Sequence, residues 1–128
     1  MRVLLLSKYE SAGSSSRVRY YQYLPYLEGA GIEVHRAPLL DDRYVERINR
    51  GDKVSLLRIA WHYWNRIRVL ARARRYSLIW LEKEIFPYFP SFAEELVRRL
   101  DIPYVVDYDD ATHVQYAEHK KALVRRLL

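Results

Sequence analysis

Short apolar segments alternate with longer amphipathic segments along this chain. Short apolar runs predict strands over residues 2–6, 78–82 and 104–107. A fourth strand is predicted over residues 32–37, where Ile32 and Val34 alternate with polar residues. Apolar residues at three- and four-residue spacing predict helices over residues 17–29, 53–75, 91–100 and 116–128. A short helix or ordered loop is predicted over residues 41–50. Strands that alternate with helices form a parallel sheet with right-handed crossovers and helices on both faces.

The predicted fold is therefore α/β: a Rossmann-like, doubly wound parallel sheet in one domain over residues 1–128. We expect strand order 2-1-3-4, with the switch point between the first and third strands. A serine of the run 14–16 is expected to cap the first helix, and Pro25 to kink or shorten it. The long helix is expected to bury one apolar stripe: Leu57, Ala60, Trp64, Ile67 and Ala71.

Composition narrows the classes of protein that remain. Half of the 128 residues are hydrophobic, enough for a core, and the absence of cysteine excludes disulfides and thiolate metal sites. The apolar run at residues 3–6 is too short for a signal peptide or a membrane span, so we expect a cytoplasmic protein. A net charge of +6, mostly from arginine, suits an anionic partner without choosing among nucleic acid, phosphorylated substrate and lipid.

The segment after the first strand carries candidate phosphate ligands. Gly13 allows the backbone to approach a ligand, and Arg17 and Arg19 place cations near the start of the helix. Hydroxyl donors come from Ser14, Ser15 and Ser16. Together these residues suit a phosphate or diphosphate; the alternative is a capped turn with solvated arginines. The loop lacks the three-glycine dinucleotide fingerprint and the Gly-Lys-Ser/Thr ending of an ATPase loop.

A second cluster of polar residues follows the fourth strand. Asp109 and Asp110, with His113 three residues further on, are candidates for a general base or for binding sugar hydroxyls. The alternative is that Asp107 ties down the loop and one of the later aspartates caps a helix.

Two further features have equally open interpretations. Glu82 and Glu84 leave the third strand, where they suit either contact with a polyol acceptor or a local ion pair. The long helix combines Trp61 and Trp64 with several arginines, as does a helix that lies on anionic lipid. Its alternative is a crossover helix with aromatics in the core and arginines in water.

Two motifs stand out when taken together: Ser-Ser-Ser-Arg at 14–17 and Asp-Tyr-Asp-Asp-Ala at 107–111. They belong to a set of matching segments at residues 1–7, 13–19, 21–27, 30–34, 81–84 and 103–111. With these segments the chain resembles the N-terminal domain of GT-B fold glycosyltransferases of the large retaining group often called family four. The resemblance covers nearly the whole chain.

The resemblance implies a two-domain enzyme in which this domain receives a glycan, lipid-linked or envelope acceptor. The other domain holds the nucleotide-sugar donor. By position, Gly13 and the serines look like the loop facing the donor phosphates, and Arg17 and Arg19 like anion contacts at its edge. Asp109 and Asp110 look like cleft residues near the acceptor. Such enzymes usually need no bound metal, so neither a metal nor a cofactor is expected.

The donor-binding C-terminal domain, with its paired-glutamate motif, is missing from this sequence. We therefore expect an acceptor-side half that transfers no sugar alone, whether a cloned fragment, a truncated reading frame or half of a split enzyme. The missing elements would leave a sheet edge and apolar surface open to association. Many enzymes of this family act at the inner face of the plasma membrane, which would suit a peripheral location.

Two other classes of protein are alternatives to the glycosyltransferase. The first is a non-catalytic anion-binding α/β module that contacts nucleic acid or anionic membrane; the scattering of arginines over several helices argues against nucleic acid. The second is a receiver-like signalling domain, which needs acidic residues after strand one and an aspartate ending strand three. Here Ser7 and Lys8 follow strand one, and Glu82 ends strand three.

Overall fold

Four parallel strands form one sheet. The structure, a computed structural model, describes residues 1–87, 89 and 92–108, and for Phe92 and Leu96 it describes the backbone alone. The strands are β1 (Arg2–Leu6), β2 (Glu33–Arg36), β3 (Leu78–Glu82) and β4 (Tyr104–Asp107). Their order is β2-β1-β3-β4 and every pair is parallel. The predicted strand order is therefore confirmed, and the chain reverses its direction of winding between β1 and β3.

Helices connect these strands. In the described part of the chain they are α1 (Ser14–Arg19), α2 (Leu24–Gly29), α3 (Asp42–Asn49), α4 (Leu56–Leu70) and α5 (Phe92–Arg99). Asp41 caps α3 by accepting a hydrogen bond from the backbone N–H of Tyr44 at 2.9 Å. The same helix ends before Gly51, whose φ of 77° lies in the left-handed region that favours glycine. The helix predicted over 116–128 lies outside the described residues.

Successive side chains of the central strands point to opposite faces of the sheet, and both faces are covered. Leu4 and Leu6 of β1 pack with Ile79 and Leu81 of β3 in a core cluster that α4 and α5 complete. On the other face a smaller cluster joins Leu5 to the α1–α2 segment, its other buried members being Tyr20 and Leu24. This two-sided burial explains why β1 is an unbroken apolar run.

The first predicted helix is wrong in its start and its continuity. The helix begins at Ser14 rather than Arg17, and Gly13 occupies the N-cap position without a side-chain hydrogen bond, so no serine caps it. It ends at Arg19, and a 3₁₀ turn over Tyr21–Tyr23 separates it from α2. Pro25 lies in the first turn of α2, where its missing N–H has no helical partner to lose.

The buried stripe predicted for the long helix is also wrong. The helix is shorter than predicted, covering Leu56–Leu70, and a 3₁₀ turn over Ala73–Arg75 follows it. Its buried residues are Arg66 and Leu70, whereas all five residues of the predicted stripe are exposed: Leu57, Ala60, Trp64, Ile67 and Ala71. The periodicity was correctly helical, but a second apolar row, through Tyr63 and Val69, is the one that packs on the core.

Candidate functional site

The carboxyl ends of the three strands β1, β3 and β4 meet at one edge of the sheet. Leu6 pairs with Leu81 across β1 and β3, and Glu82 pairs with Asp107 across β3 and β4. The segment that leaves β1 therefore runs beside the ends of β3 and β4. This edge is where open parallel sheets bind ligands, and it lies at the switch point.

The first loop comprises residues 7–16, from the end of β1 through the first turn of α1. Glu82 holds this loop against the end of β3. Its side chain is 2% exposed, and one carboxylate oxygen accepts from the backbone N–H of Lys8 at 2.8 Å and from the Ser16 hydroxyl at 2.7 Å. The other oxygen accepts from the Ser15 hydroxyl at 3.1 Å. The buried carboxylate is thus satisfied entirely by donors of the loop. It fixes the loop's conformation and lies beneath its surface.

Gly13 is required by close packing inside the same loop. A Cβ atom at this position would lie 2.3 Å from the Cβ of Tyr9, a distance that real contacts do not allow. The loop is also tied to α3, because Asp42 accepts from the Ser11 hydroxyl at 2.8 Å and from the Ala12 N–H at 2.7 Å. These contacts leave Ser14 at the exposed start of α1.

Arg19 joins the end of α1 to the end of β4. Its Nε donates to Asp107 at 3.1 Å, and its Nη2 donates to the other carboxylate oxygen of the same residue. This two-point ion pair spans 88 residues of sequence and fixes Arg19 at the edge of the sheet. Arg17, two residues earlier in α1, is exposed.

Tyr20 lies buried beside this ion pair. Burial, together with the nearby carboxylates of Glu82 and Asp107, raises the pKa of its phenol above the usual range, because all three disfavour a phenolate. Its ring meets Trp80 edge-on, with ring centroids 5.0 Å apart. The phenol therefore stays neutral and acts as part of the core.

A cavity of about 370 Å³ opens between the first loop and α3. Its walls combine backbone and small polar groups of the loop, around Gly13, Ser14 and Ser15, with side chains of α3 such as Tyr44 and Asn49. The residues of the first loop that the sequence singled out thus line a concave surface. Val45 and Ile48 add apolar wall, so this partly enclosed surface suits a small ligand that carries both polar and apolar groups.

The structure brings together the residues of the first loop, Arg19 and Glu82, and it does not reach the second predicted cluster. Asp109, Asp110 and His113 lie outside the described residues. Glu84 is half-buried just beyond β3, where its backbone N–H donates to the carbonyl of Glu82 at 2.8 Å. Between them, Lys83 has a φ of 60°, which is uncommon for a residue with a side chain.

Sequence reasoning missed two features of this region. The strained backbone of Lys83 gives no signal in the sequence, although such strain concentrates near functional sites. The second is Arg66, a buried arginine of α4 that donates to the carbonyl of Ser7 at 2.6 Å. The sequence placed it among solvated arginines because helical spacing alone does not say which arginine points inward.

Fold and site together define an α/β domain with a parallel four-stranded sheet and a cavity beside the loop that leaves β1, on the side of β2. Comparison of the chain with family models, with curated proteins and with solved structures finds no match. Within the described residues, no helix is long and apolar enough to cross a membrane, and no three potential metal ligands lie together.

Proposed function

We propose that this chain is the acceptor-side half of a glycosyltransferase that moves a sugar from a nucleotide-sugar donor to a glycan, lipid-linked or envelope acceptor. The proposal includes the finer fold assignment, one half of a GT-B architecture. Its support is the family resemblance together with one observation: the first loop is rigidly presented at the switch point. Glu82 holds that loop from below, while Ser14 stays exposed in the wall of a cavity and Arg17 stays exposed further along α1.

The roles of the residues follow from their contacts. Ser14, at the start of α1, and Arg17, in its last turn, face solvent and are the groups assigned to the donor phosphates. Glu82 and Ser16 are assigned to positioning because their side chains hydrogen-bond to each other beneath the loop's surface. Gly13 has the same role because a side chain there would clash with Tyr9. Arg19 is assigned to positioning as well, because its ion pair with Asp107 attaches the end of α1 to the end of β4.

We expect a second domain to hold the nucleotide sugar, and we therefore expect this chain alone to transfer no sugar. The test mixes the purified chain with a separately produced donor-binding domain of a family-four GT-B glycosyltransferase. It supplies UDP-glucose, UDP-N-acetylglucosamine and GDP-mannose with a lipid-phosphate acceptor. Transfer that requires both polypeptides is the expected result. Transfer by the chain alone, or no transfer by any mixture, counts against the proposal.

A pair of single-charge variants sharpens that test. Arg17→Gln removes a charge-assisted contact to the donor phosphates and lowers kcat/KM of the mixture about tenfold. Arg47→Gln removes an equally exposed charge on α3 and leaves kcat/KM within about twofold. Equal effects of the two substitutions would show that net charge, rather than the first loop, is responsible.

A second candidate function is a module that contacts anionic membrane, and the exposed face of α4 favours it. Leu57 and Trp64 are 83% and 54% exposed, and no aspartate or glutamate occurs between Lys53 and Leu81. Apolar and aromatic side chains flanked by unopposed cations are what an interfacial helix offers to acidic lipid. The neighbouring exposed cations are Arg68, Arg72, Arg74 and Arg75.

Vesicle sedimentation tests this second candidate. The chain should pellet with vesicles containing phosphatidylglycerol, less so as salt increases, and remain in solution with phosphatidylcholine alone. Replacing Leu57 by Gln and Trp64 by Ser should reduce the bound fraction several-fold, whereas Tyr23→Ser with Tyr26→Ser, a matched pair of exposed aromatics elsewhere, should not. Indifference to lipid charge or to the first pair of substitutions contradicts membrane contact through α4.

A further inference from the structure

A second polar cavity, of about 410 Å³, lies between the end of β2 and the middle of α4. It shares no lining residue with the cavity beside the first loop. Among the described residues of its wall are three arginines, two histidines and one aspartate. These residues are Arg36, Arg58, Arg66, His35, His62 and Asp41.

Arg66 lines this cavity as a buried cation with unused donors. The residue is 3% exposed, and among the described residues its Nε and Nη1 atoms have no hydrogen-bond partner. Burial lowers the pKa of its guanidinium to about 10, which still leaves it charged at neutral pH. The charge of Glu82 acts on this guanidinium, but no hydrogen bond joins the two in the described residues. The unused donors of Arg66 therefore still call for an acceptor.

The one hydrogen bond that Arg66 makes to a described residue does not explain its presence. Its Nη2 donates to the carbonyl of Ser7, but that carbonyl already accepts from the backbone N–H of Leu39 at 2.9 Å. An apolar side chain in place of Arg66 would therefore leave no orphaned carbonyl. Stability alone does not account for an arginine here.

The single acidic side chain in the wall is already engaged. One oxygen of Asp41 caps α3 through the N–H of Tyr44, and the other lies 3.3 Å from Nη2 of Arg58. Nε2 of His62 lies 3.6 Å from the first oxygen and makes no hydrogen bond in the described part of the chain. After the Asp41–Arg58 pair is counted, two arginines remain without an opposing charge in this wall.

We propose that this cavity binds a phosphoryl group, either free phosphate or the phosphate of a small sugar. The oxyanion would accept from the unused donors of Arg66 and from the side chain of Arg36, the two unopposed arginines. Arg58 and His62 lie in the same wall and would add further donors. A doubly charged phosphoryl group matches the two unopposed arginines. The cavity lies within the size range of small-molecule sites and has Trp61 in its wall, whose ring offers a surface for a sugar.

Calorimetric titration with inorganic phosphate and with ribose 5-phosphate, at constant ionic strength, tests the proposal. Saturable one-to-one binding of phosphate is expected. Tighter binding of ribose 5-phosphate assigns the site to a sugar phosphate, and equal affinity assigns it to the phosphoryl group alone. The absence of saturable binding for both probes would overturn the proposal.

Variants connect the binding to this cavity. Arg66→Met, which should fold because no carbonyl is orphaned, is expected to weaken binding at least about tenfold, and Arg58→Gln by about tenfold. Arg47→Gln, outside the cavity, should stay within about twofold. Should Arg66→Met fail the circular-dichroism check for folding, Arg58→Gln and Arg36→Gln decide. Unchanged affinity in the folded cavity variants overturns the site.

Discussion

At the scale of single residues, Glu82 is the group on which the first loop most depends. Glu82→Gln replaces one charged acceptor by an N–H₂ group that faces the donors of Lys8, Ser15 and Ser16. Because hydrogen bonds to charged groups are the stronger kind, the free energy of unfolding should fall by about 1.5–3 kcal/mol. Urea unfolding measures this, with exposed Glu28→Gln as a control expected to change it by less than about 0.5 kcal/mol.

Two glycines should respond to alanine with opposite signs. Gly13→Ala forces a Cβ to within 2.3 Å of Tyr9, so either the loop or α1 must move, at a cost of about 1–3 kcal/mol. Gly29, at the end of α2, has open space around its Cβ position, so Gly29→Ala should stabilise the protein by about 0.4–1 kcal/mol. Thermal unfolding of both variants checks the contrast. Equal midpoints would mean that the loop packs differently around Tyr9.

The residues of the candidate site were predictable by type but not by role. The run of small residues after β1 indicated a loop at the switch point, and the serines and Gly13 are found there. The partner of Ser16 is 66 residues away, and Arg19 and Asp107 are 88 residues apart. No local pattern encodes such pairs, so the difference between a ligand-facing serine and a buried one became visible only in three dimensions.

At the scale of elements, α4 shows how a helical pattern can be correct in period and wrong in phase. Residues three and four apart form two apolar rows on this helix, and hydrophobicity favoured the row of Leu57 and Trp64. The buried face instead contains Arg66, which any hydrophobic criterion assigns to solvent. A buried arginine thus concealed the true face of the helix, and the stronger apolar row was left exposed.

Substitutions on the two faces of α4 test this assignment. Leu57→Gln, on the exposed face, should change the free energy of unfolding by less than about 0.5 kcal/mol. Leu70→Ala, in the core cluster, should lower it by about 2–5 kcal/mol because it leaves a cavity. Denaturant titration of the two variants measures both. A larger loss of unfolding free energy from Leu57→Gln than from Leu70→Ala would support the buried face that was predicted from the sequence.

At the scale of the whole molecule, strand order was the most predictable property. Alternating apolar runs and helices with right-handed crossovers leave few topologies, and order 2-1-3-4 is among the simplest. The bounds of β1, β3 and β4 agree with the prediction. For the central strands β1 and β3, burial on both faces makes most of each strand an apolar run. Edge strand β2 is shorter than predicted. Three of its four residues are exposed, so the hydrophobic pattern of the sequence does not mark where this strand begins and ends. The glycosyltransferase assignment remains a prediction.

Stability at high pH depends on two buried groups with opposite effects. The pKa of Tyr20 is raised on folding, so above about pH 10 the unfolded chain loses this proton first and stability falls as pH rises. The pKa of Arg66 is lowered to about 10 on folding, so above that pH the folded chain loses its proton first. The unfolded state then binds more protons, and this residue adds stability as pH rises.

Removing each group should therefore change the alkaline limb of the stability curve in opposite directions. Between about pH 9 and 11, the free energy of unfolding should fall less steeply in Tyr20→Phe and more steeply in Arg66→Met than in the unaltered protein. Tyr26→Phe, at a position 77% exposed, should leave the curve unchanged. Urea titrations across this range measure all three. Parallel curves for Tyr20→Phe and the unaltered protein would mean that the phenol ionises as readily in the folded chain as in the unfolded one, which its burial between Glu82 and Asp107 argues against.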